Sequence, residues 1–179
     1  MLDGEEKLVK LAVRGDSSAF GELYDRYQPM IYRFVAVKVS RREEAEDITH
    51  QVFMSAWQNI RSYEHRGHPF SSWLYRIARN QVIDFYRARR DEVAIDAVDP
   101  EYFATPATAE FTVPVRLEME SVRRALSRLK PDYQDVLIMR FMEDLSLKEV
   151  ALALQKTEGA IKVMQHRAMN ELKKALNEA

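Results

Sequence analysis

Between Phe70 and Arg90 the chain reads FSSWLYRIARNQVIDFYRARR, and two kinds of side chain recur in it. Arg76, Arg79, Arg87 and Arg90 gather on one side of a helical wheel. Tyr63, Phe70, Trp73, Tyr75 and Tyr86 lie just before or along the same segment. A row of guanidinium groups follows phosphates, and aromatic faces stack on unpaired bases. A protein that reads only closed duplex has little use for the aromatics. The chemistry indicated is the holding of DNA whose strands have separated. The opposite side of the wheel carries Leu74, Ala78, Val82 and Phe85 at spacings of three or four, a stripe that needs a core.

A second cluster lies in SLKEVALALQKTEGAIKVMQHRAMNELKK, from Ser146 to Lys174. A short helix, a tight turn and a longer helix with a basic outer face make a helix-turn-helix. With Ile161, Met164, Ala168 and Leu172 inward, Gly159, Lys162, Val163, His166, Arg167 and Asn170 turn outward. Lys162, His166 and Arg167 then reach base edges or phosphates. The helix start at Thr157 offers backbone N–H groups to a phosphate. The plainer reading is a helical hairpin with a solvated face. Gln155 stands where such turns often have Gly, at about 1 kcal/mol if the backbone is left-handed.

Other residues carry weaker signals. Glu43, Glu44, Glu46 and Asp47 crowd the start of one helix, where acids suit the positive helix end as well as they would suit a partner. His65 and His68 have an HxxH spacing, but a metal needs further ligands, and loop histidines beside DNA fit better. Asp84 has no second carboxylate, nucleophile or Gly-rich phosphate cradle beside it in sequence. A salt bridge to Arg87 or Arg76 is the expectation, and no catalytic residue, metal or cofactor is assigned.

The elements that must position these groups read as helices throughout. The chain has 179 residues, 46% apolar and 31% charged, with only 5 Gly and no Cys. Disulfides and thiolate metal sites are excluded. No apolar run approaches a membrane span, and the charged N-terminus lacks a signal-peptide block, so a cytoplasmic protein is expected. The net charge of −1 hides a pattern: residues 1–90 carry 15 basic and 12 acidic groups, 91–115 carry 6 acids and no base, and 116–179 carry 12 bases and 10 acids. The expected fold is all-α. Two small helical domains, 1–90 and 116–179, are joined by a flexible acidic linker over 91–115 that holds Pro100, Pro106 and Pro114. Helices are expected over Glu5–Val13, from Asp16 or Ser17 to Val39, from a capping box at Ser40 and Glu43 to Gln58, and from Phe70 to Arg89. They resume over Val115–Arg128, Pro131–Phe141, from a second box at Ser146 and Glu149 to Leu154, and from a Thr157 cap to Leu176.

The segments FGELYDRYQPMIYRFV, EEAEDITHQVFMSAW, FSSWLYRIARNQVIDFYRARR and RLKPDYQDVLIMRFMEDLSLKEVALALQKTEGAIKVMQHRA, in that order, resemble a bacterial RNA polymerase sigma factor of the extracytoplasmic-function group. The resemblance spans nearly the whole chain outside 91–115. It implies a promoter-specificity subunit that binds core polymerase at the β′ clamp helices and the β flap. It implies −10 contacts by Tyr63, Phe70, Trp73, Arg76, Arg79, Asn80, Asp84 and Arg87. It implies −35 contacts by Thr157, Glu158, Lys162, His166 and Arg167, and polymerase contacts by Glu46, Asp47, His50 and Gln51. The family often reads AEDITQEVF where this chain has AEDITHQVF, so one acid is missing from the polymerase-facing surface. An anti-sigma protein is a further partner the resemblance admits, and no membrane insertion or homo-oligomer is expected.

Two other classes compete. A stand-alone helix-turn-helix regulator with a ligand-sensing N-terminal domain predicts a pocket and a dimer interface, and leaves the aromatic and Arg-rich helix unexplained. A small nucleic-acid enzyme using Asp84 needs partner carboxylates close in space.

Overall fold

The computed structural model of the protein describes residues 2–64, 68–93 and 121–177. The expected linker, His65, the Arg90 side chain and the expected helix start at Val115 lie outside the described residues. Helix α1 is Leu2–Val13, α2 is Ser17–Lys38, α3 is Arg42–Asn59 with a 3-10 turn at Ile60–Ser62, and α4 is Phe70–Val93. Helix α5 covers 121–127, α6 is Pro131–Leu137, α7 is Leu147–Leu154 and α8 is Glu158–Asn177. Among the described residues there is no strand.

Local chemistry sets the helix ends. Gly15, at φ +97°, turns the chain between α1 and α2 in a conformation that a Cβ would strain. Asp16 Oδ1 then accepts the backbone N–H groups of Ser18 and Ala19 at 2.9 and 3.1 Å. The box at the start of α3 is shifted by one residue from the expectation. Arg41 is the N-cap, and the Glu44 carboxylate accepts its N–H at 3.2 Å. An arginine side chain has no acceptor, so only the glutamate half of the box forms. The Ser146–Glu149 box is complete, with reciprocal bonds of 3.2 and 2.7 Å. Thr157 caps α8 through the Ala160 N–H at 3.1 Å.

Gln155 is left-handed, φ 55° and ψ 44°, as the turn between α7 and α8 requires. Gln155→Gly should therefore stabilise the protein by roughly 0.5–1 kcal/mol, the relieved strain being partly offset by unfolded-state entropy. A higher thermal midpoint checks it, and an unchanged or lower one would show the turn is unstrained.

Helix α6 does not continue to Phe141 as a regular α-helix. It widens into a π turn over Ile138–Met142, closed by the Glu143 N–H on the Ile138 carbonyl at 3.1 Å. The turn leaves Phe141 and Met142 exposed and Glu143 buried.

The apolar stripes meet in a core that runs across both halves of the chain. Leu23, Ile31, Phe34, Val52, Leu74 and Ala78 join Val136, Ile138, Met139, Val150 and Ile161 in one cluster. A smaller cluster gathers Ala125, Leu126, Leu129, Leu137, Ala168 and Ala175. Helix α4 is central: it packs on α2 and α3 along one side and on α7 along another. The one-sided amphipathic helix read from the sequence is thus buried on two sides. Tyr75 is fully buried, and Ser72 donates its hydroxyl to the Glu149 carbonyl at 3.3 Å.

Candidate nucleic-acid interface

The residues expected to meet DNA separate into three groups. The first is an aromatic trio where the loop enters α4. Tyr63, Phe70 and Trp73 pack against one another, edge-on or tilted, with ring centroids 4.9 to 5.4 Å apart. Phe70 is fully buried and also meets Tyr27 at 5.8 Å, so its ring underpins the trio rather than facing solvent. A base could stack on Phe70 only if Tyr63 and Trp73 were displaced. Tyr63 and Trp73 are half-buried. The Tyr63 hydroxyl donates to the His68 carbonyl at 3.4 Å. Burial, with Glu5 nearby, pushes its phenol up to about 12. His68 Nδ1 is buried with no hydrogen-bond partner among the described residues.

The second group follows along α4. Asn80, Asp84 and Arg87 are exposed, and Arg76 is half-buried. Asp84 pairs with Arg87 at 3.5 Å, the expected surface bridge, which contributes little to stability at that exposure. Arg79 behaves differently. Its Nε donates to Asp135 Oδ2 at 2.8 Å and its Nη2 to Asp132 Oδ1 at 2.7 Å. Burial alone would lower its pKa, but the two carboxylates outweigh that and raise it. Arg79 is therefore not on the free Arg face that the wheel suggested.

The third group is the outer face of α8. Thr157, Glu158, Lys162, His166 and Arg167 are all exposed there. Asn170 Nδ2 lies 3.2 Å from His166 Nε2 and steadies that ring. Val163, half exposed, is an apolar side chain amid these polar ones. Ile161 and Ala168 are buried beneath, as the inward stripe required.

Glu46, Asp47, His50 and Gln51 form an exposed stripe on α3, where Arg42 pairs with Glu46 at 2.7 Å. Beside it runs a shallow apolar groove of about 280 Å³ lined by Ser17, Phe20, Tyr24, His50, Phe53, Met54 and Trp57. The sequence reading missed the groove and the exposed Met54. Its signal was there, one helical turn after His50. Among the described residues, no three His, Asp or Glu side chains converge as metal ligands, and no helix is long and apolar enough to cross a membrane.

Residues 23–92 match the family model for sigma-70 region 2, and residues 119–172 match that for sigma-70 region 4. The chain is 30% identical to the extracytoplasmic-function RNA polymerase sigma factor SigW of Bacillus subtilis, over 97% of both proteins. It is 34% identical to the sigma factor BldN of Streptomyces coelicolor over 95% of its own length, spanning 65% of that relative. The chain belongs to the extracytoplasmic-function group of the sigma-70 family.

Region 2 thus holds α2 from residue 23, α3, and α4 up to residue 92, and region 4 holds α5 to α8 up to residue 172. Two solved structures share the fold. One is CnrH in complex with the cytosolic domain of CnrY, at TM-score 0.75, 22% identity and 98% coverage of both chains. The other is RpoE with the anti-sigma factor NepR from Bartonella quintana, at TM-score 0.74 and 26% identity, covering 88% of this chain and 96% of that one.

Further contacts that the sequence reading lacked sit between region 2 and region 4. Arg33 on α2 forks onto Glu143, Nε to Oε1 at 3.0 Å and Nη2 to Oε2 at 2.8 Å. The buried Tyr75 hydroxyl adds a bond to Glu143 Oε2 at 3.3 Å. Burial, then the Glu143 charge, raises the Tyr75 phenol far above its ordinary value. Lys38 at the end of α2 pairs with Asp135 and lies over the Phe34 ring at 5.0 Å. Arg123 on α5 caps the end of α2 through the Ala36 and Val39 carbonyls.

Proposed function

We propose that this chain is a promoter-specificity subunit that binds core RNA polymerase, reads −35 and −10 promoter DNA, and helps open the −10 strand. The chemistry of RNA synthesis then belongs to the polymerase, and the protein works in the cytoplasm. The observation that carries the reading is the ordered pairing of a region 2 unit, with its Arg and aromatic helix, and a region 4 helix-turn-helix in one chain.

The roles divide by chemistry. On α8, Lys162, His166 and Arg167 reach into a major groove, and the Thr157 and Glu158 end faces a phosphate. Tyr63 and Trp73, both partly exposed, stack on unpaired bases, and Arg76, Asn80 and Arg87 follow the strand. Phe70 supports Tyr63 and Trp73 from below. Asp47, His50, Gln51 and the groove beside them form the surface offered to the β′ clamp helices, with Glu46 at its edge. The β flap meets region 4. One solved neighbour, the sigma factor RpoE, is in complex with the anti-sigma factor NepR. This supports an anti-sigma protein as a partner here as well.

The test is run-off transcription from a pool of genomic fragments with core polymerase. Adding the protein should produce discrete transcripts, and Asp47→Arg should remove them. A reversed charge on that surface costs association about 2–5 kcal/mol, read in a pull-down titration, with helix content unchanged by circular dichroism. No transcripts with the unmodified protein would overturn the function. Wild-type core affinity in the variant would overturn the surface.

A further inference from the structure

Pro69, which precedes α4, has no side-chain acceptor, and the first turn of the helix carries no acid. A helix start needs acceptors for its free N–H groups. One comes from α1. Glu5 Oε1 accepts the Phe70 N–H at 3.1 Å, across 65 residues of sequence. Glu5 Oε2 accepts the Tyr27 hydroxyl of α2 at 2.7 Å, and Arg26 Nη1 stands 4.0 Å from the same oxygen. Burial, then the bond to Glu5, raises the Tyr27 phenol far above its ordinary value, so Tyr27 stays protonated and remains the donor. One carboxylate, 19% exposed, thus ties α1, α2 and α4 together where the aromatic trio is built. Two of those rings, Phe70 and Trp73, stand on the capped turn, and Tyr63 packs on both. Helix α1 lies outside both stretches matched by the family models, 23–92 and 119–172.

We propose that Glu5 is a positioning residue for promoter opening. From outside the matched region 2 it fixes the first turn of α4, and so the pose in which Trp73 and Tyr63 receive unpaired bases. The proposal rests on the reading that these rings meet the open strand. Burial of the Phe70 ring anchors where the helix starts. The N–H bond sets the direction in which the backbone leaves that anchor, because Oε1 is itself held through Oε2 by Tyr27. A carboxylate at a helix start also gains from the positive end of the helix, and a bond to a charged acceptor is stronger than one to a neutral acceptor. Without Glu5 the first turn frays. A turn ordered about a tenth of the time weakens base capture about tenfold, since only the ordered fraction binds. Duplex binding by α8 is carried by region 4 and does not depend on that turn.

The test uses holoenzyme on a promoter drawn from the run-off transcripts, below the thermal midpoint of every variant. Permanganate reactivity of −10 thymines reports opening, and a gel-shift titration of upstream duplex reports grip. Glu5→Ala should lower the opening equilibrium about tenfold and leave duplex affinity unchanged. Glu5→Gln keeps an oxygen for the Phe70 N–H and loses only the charge, so opening should fall about two- to fivefold. A merely structural carboxylate would weaken every background alike, whereas a residue that acts through Trp73 would not. In a Trp73→Ala background, Glu5→Ala should therefore cost about twofold or less. A full tenfold loss there as well, or a loss of duplex affinity in step with opening, would overturn the positioning role in favour of general stability. Unchanged opening in Glu5→Ala, with opening lost in Tyr63→Ala with Trp73→Ala, would overturn the role of Glu5 and leave the trio on the strand. Full opening in that trio variant would overturn both.

Discussion

Phe70→Ala should lower the free energy of unfolding by about 3–5 kcal/mol, measured by urea denaturation. The ring is fully buried against Tyr27, Tyr63 and Trp73. Those neighbours sit on different elements, so the space left behind cannot close without moving a helix. A domain with about 5–15 kcal/mol of stability loses a large part of it. The Phe70 N–H keeps its bond to Glu5 Oε1 at 3.1 Å, so the loss reads the ring alone. A variant as stable as the parent, but unable to open promoters, would show that Phe70 meets a base and not the core.

The second large effect concerns strand opening. Tyr63→Ala with Trp73→Ala should abolish permanganate reactivity of thymines in the −10 region when polymerase is present. Each stack on an extruded base contributes about 1–3 kcal/mol, and the pair shifts the opening equilibrium at least about thirtyfold. Binding to upstream duplex should survive, because α8 is untouched. Both side chains are only half-buried, so the thermal midpoint should fall less than in Phe70→Ala. Full reactivity in this double variant would remove the trio from the open strand.

The helix frame was legible wherever local chemistry fixes it. Asp16, the Ser146–Glu149 pair and Thr157 are caps made within three residues, and a cap needs nothing from elsewhere in the chain. The left-handed Gln155 was legible for the same reason, since the turn geometry demands it whatever residue is present. The α3 box was misplaced by one residue because Ser40 and Arg41 are both followed three residues later by Glu. Phe70 and Tyr75 were harder. Periodicity places a residue on a wheel, but one wheel cannot say that a helix has two buried sides. Arg79 looked like a surface cation because its partners, Asp132 and Asp135, stand more than fifty residues further along the chain. Pairing across such separations is decided by how the two regions pack, which composition does not encode. The widening at Ile138 had no sequence signal that we can name.

The outer face of α8 lies open to solvent while Arg79 is engaged by carboxylates. On the roles proposed for these two faces, duplex would be gripped upstream before any melted strand is accepted. Commitment to a site would then precede the disturbance of its base pairs, and the aromatic residues would be used only where an upstream match and the polymerase are already in place.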